Sequence, residues 1–110
     1  IQICPHSGTY DFHSKYTKGA TDYLCPAPIS DELRDKMQAI AVKVFQVCEC
    51  RGVVRFDMRT DSKGQPHVLE ANSIPGMTAT SLVPKSAAAA GTDFPHLCEK
   101  ILLGASTGKI

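Results

Sequence analysis

The sequence predicts an α+β fold in a single domain, and three observations lead to this prediction. Apolar residues recur every three to four positions over 31–48, as in an amphipathic helix. The stretches 53–60 and 66–72 alternate with period two around a polar turn, which indicates a β-hairpin. Two further helical patterns follow at 81–91 and 94–105, so helices and antiparallel strands occupy separate parts of the chain.

Composition and charge exclude several classes of protein. The 110 residues are 43% hydrophobic and 21% charged, which is ordinary for one soluble domain. Twelve Lys and Arg residues face eleven Asp and Glu residues, and this net charge of +1 favours neither nucleic acid nor an anionic membrane surface as a partner. No run approaches the ~20 apolar residues of a membrane helix, and residues 1–12 do not show a basic segment followed by an apolar one. We expect a cytoplasmic protein without a nucleic-acid or membrane partner.

Five cysteines, an odd number without the spacing of a secreted framework, indicate reduced thiols. Cys48 and Cys50 form half of a zinc motif, but no second Cys or His pair follows at the required spacing. Buried thiols at the end of a helix are the better interpretation.

The N-terminal region reads as the end of a strand followed by a loop. Ile1 and Ile3 flank a polar residue, and no turn or cap precedes them, as in a piece excised from a longer chain. Residues 4–28 are rich in proline, glycine and hydroxyl side chains. We predict a long loop there, and long loops are often functional.

The helix predicted over 31–48 has a cap, a favourable first turn and one apolar face. Ser30 is the predicted N-cap, and Asp31 and Glu32 lie near the positive end of the helix dipole. We expect the apolar face to pack on the hairpin. It comprises Leu33, Met37, Ile40, Ala41, Val44, Phe45 and Cys48.

Four polar side chains are predicted to converge on one face of the hairpin. Side chains two apart on a strand point the same way, so Arg55 pairs with Asp57, and Glu70 with Asn72. A turn over 61–64 would place both pairs on the same side. Two carboxylates and an amide are ligands typical of magnesium, which indicates a nucleotide-handling site. The alternative is a solvated face with weak cross-strand ion pairs.

The segment after the hairpin favours the functional interpretation. Gly76 allows close backbone approach to a ligand, and Ser81 stands at a predicted helix start, where free N–H groups favour an anion. A cation site beside an anion site suits phosphoryl transfer to a carboxylate. Lys85, in the same helix, is predicted to be a solvated side chain, and Gly91 is predicted to close that helix.

Four segments in order resemble a known family. EANSIPGMTATSLVP (70–84) resembles the E-x-N-T-x-P-G-M-T-x-x-S-L-x-P segment of D-alanine-D-alanine ligases, members of the ATP-grasp superfamily. RGVVRFDM (51–58) resembles their G-x-x-R-x-D strand, YDFHSKY (10–16) their Y-D-Y-x-x-K-Y loop, and LCPAP (24–28) the C-P-A that follows that loop. Together the motifs are far more specific than any one of them.

The resemblance covers nearly the whole chain but only about the C-terminal third of such a ligase. It implies a truncated C-terminal ATP-grasp lobe over 1–110, in which 1–28 form a strand end and substrate-covering loop and 29–110 form a helix, a metal-binding hairpin and C-terminal helices. The implied activity is ATP-dependent ligation of two D-alanines through an acyl phosphate, for peptidoglycan precursor synthesis. The implied partners are the rest of the ligase chain and a second copy in a homodimer.

The resemblance also implies roles for the hairpin residues and the glycine turn. Asp57, Glu70 and Asn72 would hold two Mg²⁺ (or Mn²⁺) ions beside ATP, with Glu70 between the ions. Arg55 and the N–H of Gly76 would stabilise the oxyanion of the tetrahedral intermediate.

Five further residues have roles that the resemblance implies by position. Ser81 and the backbone of Leu82 would bind the carboxylate of the second D-alanine. Lys15 would reach the γ-phosphate, and Leu69 would lie against adenine. Tyr16 would lie on the loop that closes over the site and excludes water.

Two alternatives remain beside a D-alanine-D-alanine ligase. One is a related ligase that joins D-serine or D-lactate, although Tyr16 resembles the D-alanyl-D-alanine makers. The other is a non-catalytic binding module derived from the lobe. Phe12 and Ser73 depart from the family pattern, which usually has tyrosine and threonine there, and both changes are mild.

Overall fold

The computed structural model describes residues 1–106 and confirms the α+β class. Four helices and four strands follow one another along the described chain, and the strands form two separate antiparallel pairs. The elements are β1 (Gln2–Pro5), α1 (Phe12–Tyr16), β2 (Thr21–Leu24), α2 (Asp31–Val47), β3 (Arg55–Thr60), β4 (Pro66–Asn72), α3 (Leu82–Ala89) and α4 (Phe94–Gly104). Within residues 1–106, no helix is both long and apolar enough to cross a membrane.

The predicted long loop over 4–28 is wrong, because this region contains α1 and β2. β2 pairs with β1, and Ile3 lies opposite Tyr23. Asp11 caps α1 by accepting a hydrogen bond from the Ser14 amide at 2.9 Å. Ser14 is buried, and its carbonyl accepts from Thr21 Oγ1 at 2.7 Å. The region is therefore ordered by hydrogen bonds of small polar side chains, which a search for apolar periodicity does not detect.

Helix α2 matches its predicted start and face. Ser30 Oγ accepts from the Leu33 amide at 3.1 Å, as an N-cap does. The six predicted apolar residues from Leu33 to Phe45 are half-buried. The expected burial of Cys48 and Cys50 is wrong, since α2 ends at Val47, and these thiols are exposed and half-buried, respectively.

Helices α3 and α4 pack together at the C-terminal end of the described chain. Pro84 of α3 and Leu97 of α4 are buried there. Asp93 caps α4 by accepting from the His96 amide at 3.0 Å. The ends of both helices lie within two residues of the predicted bounds. Ser81 is the residue directly before α3.

Candidate active site on the second hairpin

The β3–β4 hairpin places the predicted polar residues opposite one another. Arg55 lies opposite Asn72, and Asp57 lies opposite Glu70. The turn is fixed by Asp61, whose side chain accepts hydrogen bonds from the amides at positions 63 and 65, each at 2.9 Å. Directly opposed residues of an antiparallel pair have their Cβ atoms about 5 Å apart on one face. The predicted convergence of these four residues on one face is therefore confirmed.

A β-bulge in β4 makes this arrangement compatible with an apolar opposite face. The register runs from Asp57 opposite Glu70 to Met58 opposite Val68, so Leu69 has no partner on β3. Without the bulge, Val68 and Glu70 would point to the same side. The extra residue turns Val68 toward the face of Met58 and leaves Glu70 with Asp57. Leu69 itself is 66% exposed.

Arg55 and Asp57 form a two-pronged ion pair. Arg55 Nε donates to Asp57 Oδ1 at 2.8 Å, and Arg55 Nη2 donates to Asp57 Oδ2 at 3.1 Å. Both side chains are 25% exposed. This hydrogen bonding, with the nearby charges of Asp57 and Glu70, raises the pKa of Arg55 against the opposing effect of burial. The guanidinium is therefore fixed in direction and keeps unused N–H donors.

The three predicted metal ligands are a chemically sound set for a hard cation. Asp57 and Glu70 face each other, and carboxylate oxygens have enough lone pairs for Asp57 to accept from Arg55 and still bind a cation. Asn72 Oδ1 accepts from the Ile74 amide at 3.1 Å, which orients the side chain. In residues 1–106, no three His, Cys, Asp or Glu side chains cluster closely enough to hold a metal. The metal site thus rests on two carboxylates and an amide, and it stays a prediction.

The hairpin face is open rather than enclosed. Glu70 is exposed, whereas the side chains of Arg55 and Asp57 are each 25% exposed. Ligands held by Asp57 and Glu70 would therefore reach solvent on the side of Glu70. The described residues supply one wall of a site.

The turn before α3 brings Gly76 against Ser81. A Cβ at position 76 would lie 3.1 Å from Ser81 Oγ, so a larger residue would crowd that hydroxyl. Ser81 Oγ accepts from the Thr78 amide at 3.0 Å and shares a 2.7 Å hydrogen bond with the Thr78 hydroxyl. Ser81 occupies the N-cap position without capping the helix through its side chain. Leu82, the first residue of α3, therefore follows a turn held by hydroxyl groups.

Helix α1 carries the other two predicted site residues, Lys15 and Tyr16. Tyr16 is 73% exposed and packs on Phe12, with ring centroids 4.7 Å apart. Lys15 Nζ lies 5.3 Å from the centroid of the Tyr10 ring. Both side chains are thus held by aromatic neighbours on the same segment.

Three residues without a predicted role connect the segment that carries Lys15 with strand β2 and helix α3. Tyr10 and Tyr23 share a hydroxyl hydrogen bond at 3.0 Å, and Lys85 Nζ lies 4.7 Å from the Tyr23 ring centroid. The prediction that Lys85 is a solvated side chain is therefore wrong, because Lys85 is half-buried. Burial and the bond to Tyr23 raise the pKa of Tyr10 to about 12, with Arg55 lowering it and Asp57 raising it. Tyr10 lies within a motif that the sequence singled out, whereas Tyr23 and Lys85 gave no signal.

The fold and the hairpin define an α+β lobe of the ATP-grasp ligase class, as structural comparison also finds. The structure of D-alanine-D-alanine ligase from Bacillus anthracis matches with a TM-score of 0.72 and 32% identity, over 86% of this chain and 30% of that one. A structure of the Bacillus anthracis enzyme complexed with ATP matches with a TM-score of 0.66 and 33% identity, over 71% of this chain and 27% of that one.

Sequence comparison identifies the family. The family model for the D-ala D-ala ligase C-terminus matches residues 1–103, so the chain belongs to this family. The D-alanine-D-alanine ligase of Syntrophotalea carbinolica is 49% identical over 109 residues, which are 99% of this chain and 35% of the relative. That of Methylacidiphilum infernorum is 48% identical over 102 residues, 93% of this chain and 34% of the relative. The chain spans about one third of the length of these curated relatives.

Proposed function

We propose that this chain is the C-terminal lobe of an ATP-dependent ligase that joins two D-alanines to D-alanyl-D-alanine through an acyl phosphate, for peptidoglycan precursor synthesis. The observation that carries the proposal is the hairpin face, where Asp57 opposes Glu70 and Arg55 opposes Asn72 within a chain of the ligase family. A degenerate copy would have little reason to keep three oxygen ligands beside a fixed guanidinium. The non-catalytic binding module is therefore the weaker alternative.

Asp57, Glu70 and Asn72 fit two Mg²⁺ ions, with Mn²⁺ as a substitute, by their donor chemistry. Bound there, such ions would supply positive charge beside the phosphates of ATP during transfer of the γ-phosphoryl group to a carboxylate. Glu70 is the exposed member and faces Asp57, which supports its place between the ions. The ATP-bound Bacillus anthracis relative supports ATP as the nucleotide.

Arg55 is suited to hold developing negative charge. Asp57 occupies two of its N–H groups and sets the plane of the guanidinium, so the remaining donors are preorganised. The Gly76 N–H would be the second donor. The space that Gly76 leaves beside Ser81 Oγ supports a close approach of substrate at this turn.

The turn at Ser81 is suited to the carboxylate of the second D-alanine. The Ser81 hydroxyl and the Leu82 N–H lie at the N-terminal end of α3, where the helix dipole favours an anion. Lys15 and Tyr16 on α1 would meet the γ-phosphate and cover the site, and exposed Leu69 would pack on adenine. The Lys15-Tyr16 pair supports D-alanine over D-lactate as the second substrate.

The open hairpin face supports a role for the rest of a ligase chain as the opposite wall. The complete protein is proposed to act as a homodimer in the cytoplasm, where ATP is available. Five free cysteines in the structure are consistent with that compartment.

Substrate-dependent turnover of the complete protein tests the proposed function. With Mg²⁺ and ATP, we expect phosphate release to require D-alanine and to match D-alanyl-D-alanine formation one for one. D-serine and D-lactate, each competing with D-alanine, test the related ligases through the product formed. A folded protein that binds ATP but turns over none of these substrates would replace the ligase with the binding module.

Ser81→Ala in the complete protein tests the carboxylate site. We expect the KM for the second D-alanine to rise about tenfold, because a hydrogen bond to a charged group contributes about 1.5 kcal/mol. The KM for ATP should stay within about twofold of the wild type. Steady-state kinetics at saturating ATP give both values, and Ser86→Ala, at an exposed position of the same helix, is the matched control. A selective effect on ATP would contradict the assignment.

A further inference from the structure

Lys85 connects helix α3 to strand β2 and to Cys25, which follows it, through two different groups. Its ammonium lies 4.7 Å from the ring centroid of Tyr23 on β2, within the range of a cation-π interaction. Its carbonyl accepts a hydrogen bond from the thiol of Cys25 at 3.6 Å. Both contacts join residues about sixty positions apart in sequence. They therefore fix how the β1–β2 strand pair lies against the start of α3.

Tyr23 passes this connection on to Tyr10. The two hydroxyls are 3.0 Å apart, and the rings meet edge to face with centroids 6.5 Å apart and planes at 80°. All three side chains are half-buried. We call Tyr10, Tyr23 and Lys85 the tyrosine bridge.

Each end of the tyrosine bridge reaches a part of the proposed active site. At one end the Lys85 amide donates to the Ser81 carbonyl at 3.1 Å, in the first turn of α3. At the other end the Tyr10 ring lies 5.3 Å from Lys15 Nζ. The bridge thus spans from the serine of the carboxylate site to the lysine of the covering segment.

We propose that Tyr23 and Lys85 are positioning residues: the tyrosine bridge holds the segment that carries Lys15 and Tyr16 in register with the helix that begins at Ser81. The roles of Lys15, Tyr16 and Ser81 rest on the proposed function, whereas the bridge itself rests on the contacts above. Tyr23 and Lys85 act through these three residues and touch no reacting atom.

The bridge would matter for the reaction because the segment and the helix bind opposite ends of the reacting groups. If the segment moves relative to Ser81, water enters, and the activated carboxylate is hydrolysed instead of meeting the second amine. The acyl-phosphate bond then breaks with water as the nucleophile, giving free D-alanine and phosphate. Loss of the bridge should therefore uncouple phosphate release from dipeptide formation.

The test uses the complete protein and six variants, the sixth being Lys85→Arg. Tyr10→Phe, Tyr23→Phe and their combination remove the hydroxyl pair but keep both rings. Lys85→Met removes the cation, and Lys43→Met, at an exposed position of α2, is the matched control. The first readout is the rate of tryptic cleavage after Lys15 and Lys18, which needs no activity. The second is the ratio of phosphate released to D-alanyl-D-alanine formed.

We expect Tyr23→Phe and Lys85→Met to speed cleavage about three- to tenfold and to raise the phosphate-to-dipeptide ratio above one. The double tyrosine variant should be no faster than either single variant, because both remove the same hydrogen bond. Lys43→Met should match the wild type, and Lys85→Arg should restore most of the protection.

Three results would overturn the proposal. These are unchanged cleavage and coupling in both Tyr23→Phe and Lys85→Met, additive effects of the two tyrosine changes, or an equal effect of Lys43→Met. Thermal unfolding of each variant separates local release of the segment from loss of the fold. If the wild type shows no ligation at all, the proposed function fails, while the cleavage rates still decide whether the bridge orders the segment.

Discussion

Glu70→Gln is expected to reduce D-alanine-dependent phosphate release by the complete protein roughly 100- to 1000-fold, the range for loss of one preorganised electrostatic group. Glutamine keeps the size and shape of the side chain but removes its negative charge. Glu70 faces Asp57 across the hairpin, so both carboxylates are needed to bring two divalent cations to one face. The loss should appear in kcat and should be partly offset by raising the Mg²⁺ concentration.

The fold should tolerate this change, which makes the result specific. Glu70 is exposed on β4, and its pairing with Asp57 uses the backbone, so the unfolding midpoint should stay within about 1 °C of the wild type. Glu99→Gln, at an exposed position of α4, removes the same charge elsewhere and should leave turnover intact. Turnover that survives in Glu70→Gln at limiting Mg²⁺ would remove Glu70 from the metal site.

The hairpin was predictable from sequence because one physical rule governs it. Period-two alternation predicts which side chains share a face, and Arg55, Asp57, Glu70 and Asn72 do share one. The exact register differs from a turn centred at 62–63, which would set Arg55 opposite Glu70, whereas the structure sets Asp57 there. The bulge at Leu69 was not predictable in the same way. Val68, Leu69 and Glu70 read as a continuous strand, and only the pairing with Met58 reveals the extra residue.

The N-terminal region was predicted less well because its order comes from polar contacts distant in sequence. Ser14 and Thr21 are buried and joined by a hydrogen bond from Thr21 Oγ1 to the Ser14 carbonyl, and neither residue belongs to an apolar pattern. Lys85 looked like an ordinary surface lysine, and its place over Tyr23 depends on how β2 lies beside α3. Composition records neither feature, since each requires two segments to meet.

Arg55→Lys is expected to lower kcat of the complete protein about 100-fold while the fold persists. Lysine keeps the positive charge but has one ammonium in place of a planar fork, so it cannot bond both oxygens of Asp57 and also direct donors at a substrate oxyanion. The lost bidentate pair is part-buried, and we expect unfolding to be easier by about 1 kcal/mol. Stopped-time product assays and urea unfolding measure the two effects separately.

The matched control lies on the same strand and the same face. Arg59→Lys makes the same chemical change four residues further along β3. There the side chain is exposed and lies opposite His67. It should alter neither kcat nor stability appreciably, because an exposed guanidinium contributes little. If both variants lose activity equally, the effect is not specific to the guanidinium paired with Asp57, and the proposed role of Arg55 is contradicted. If only Arg55→Lys loses kcat, with KM for ATP unchanged, the loss falls on the transition state, as expected for a donor that meets charge only as it develops.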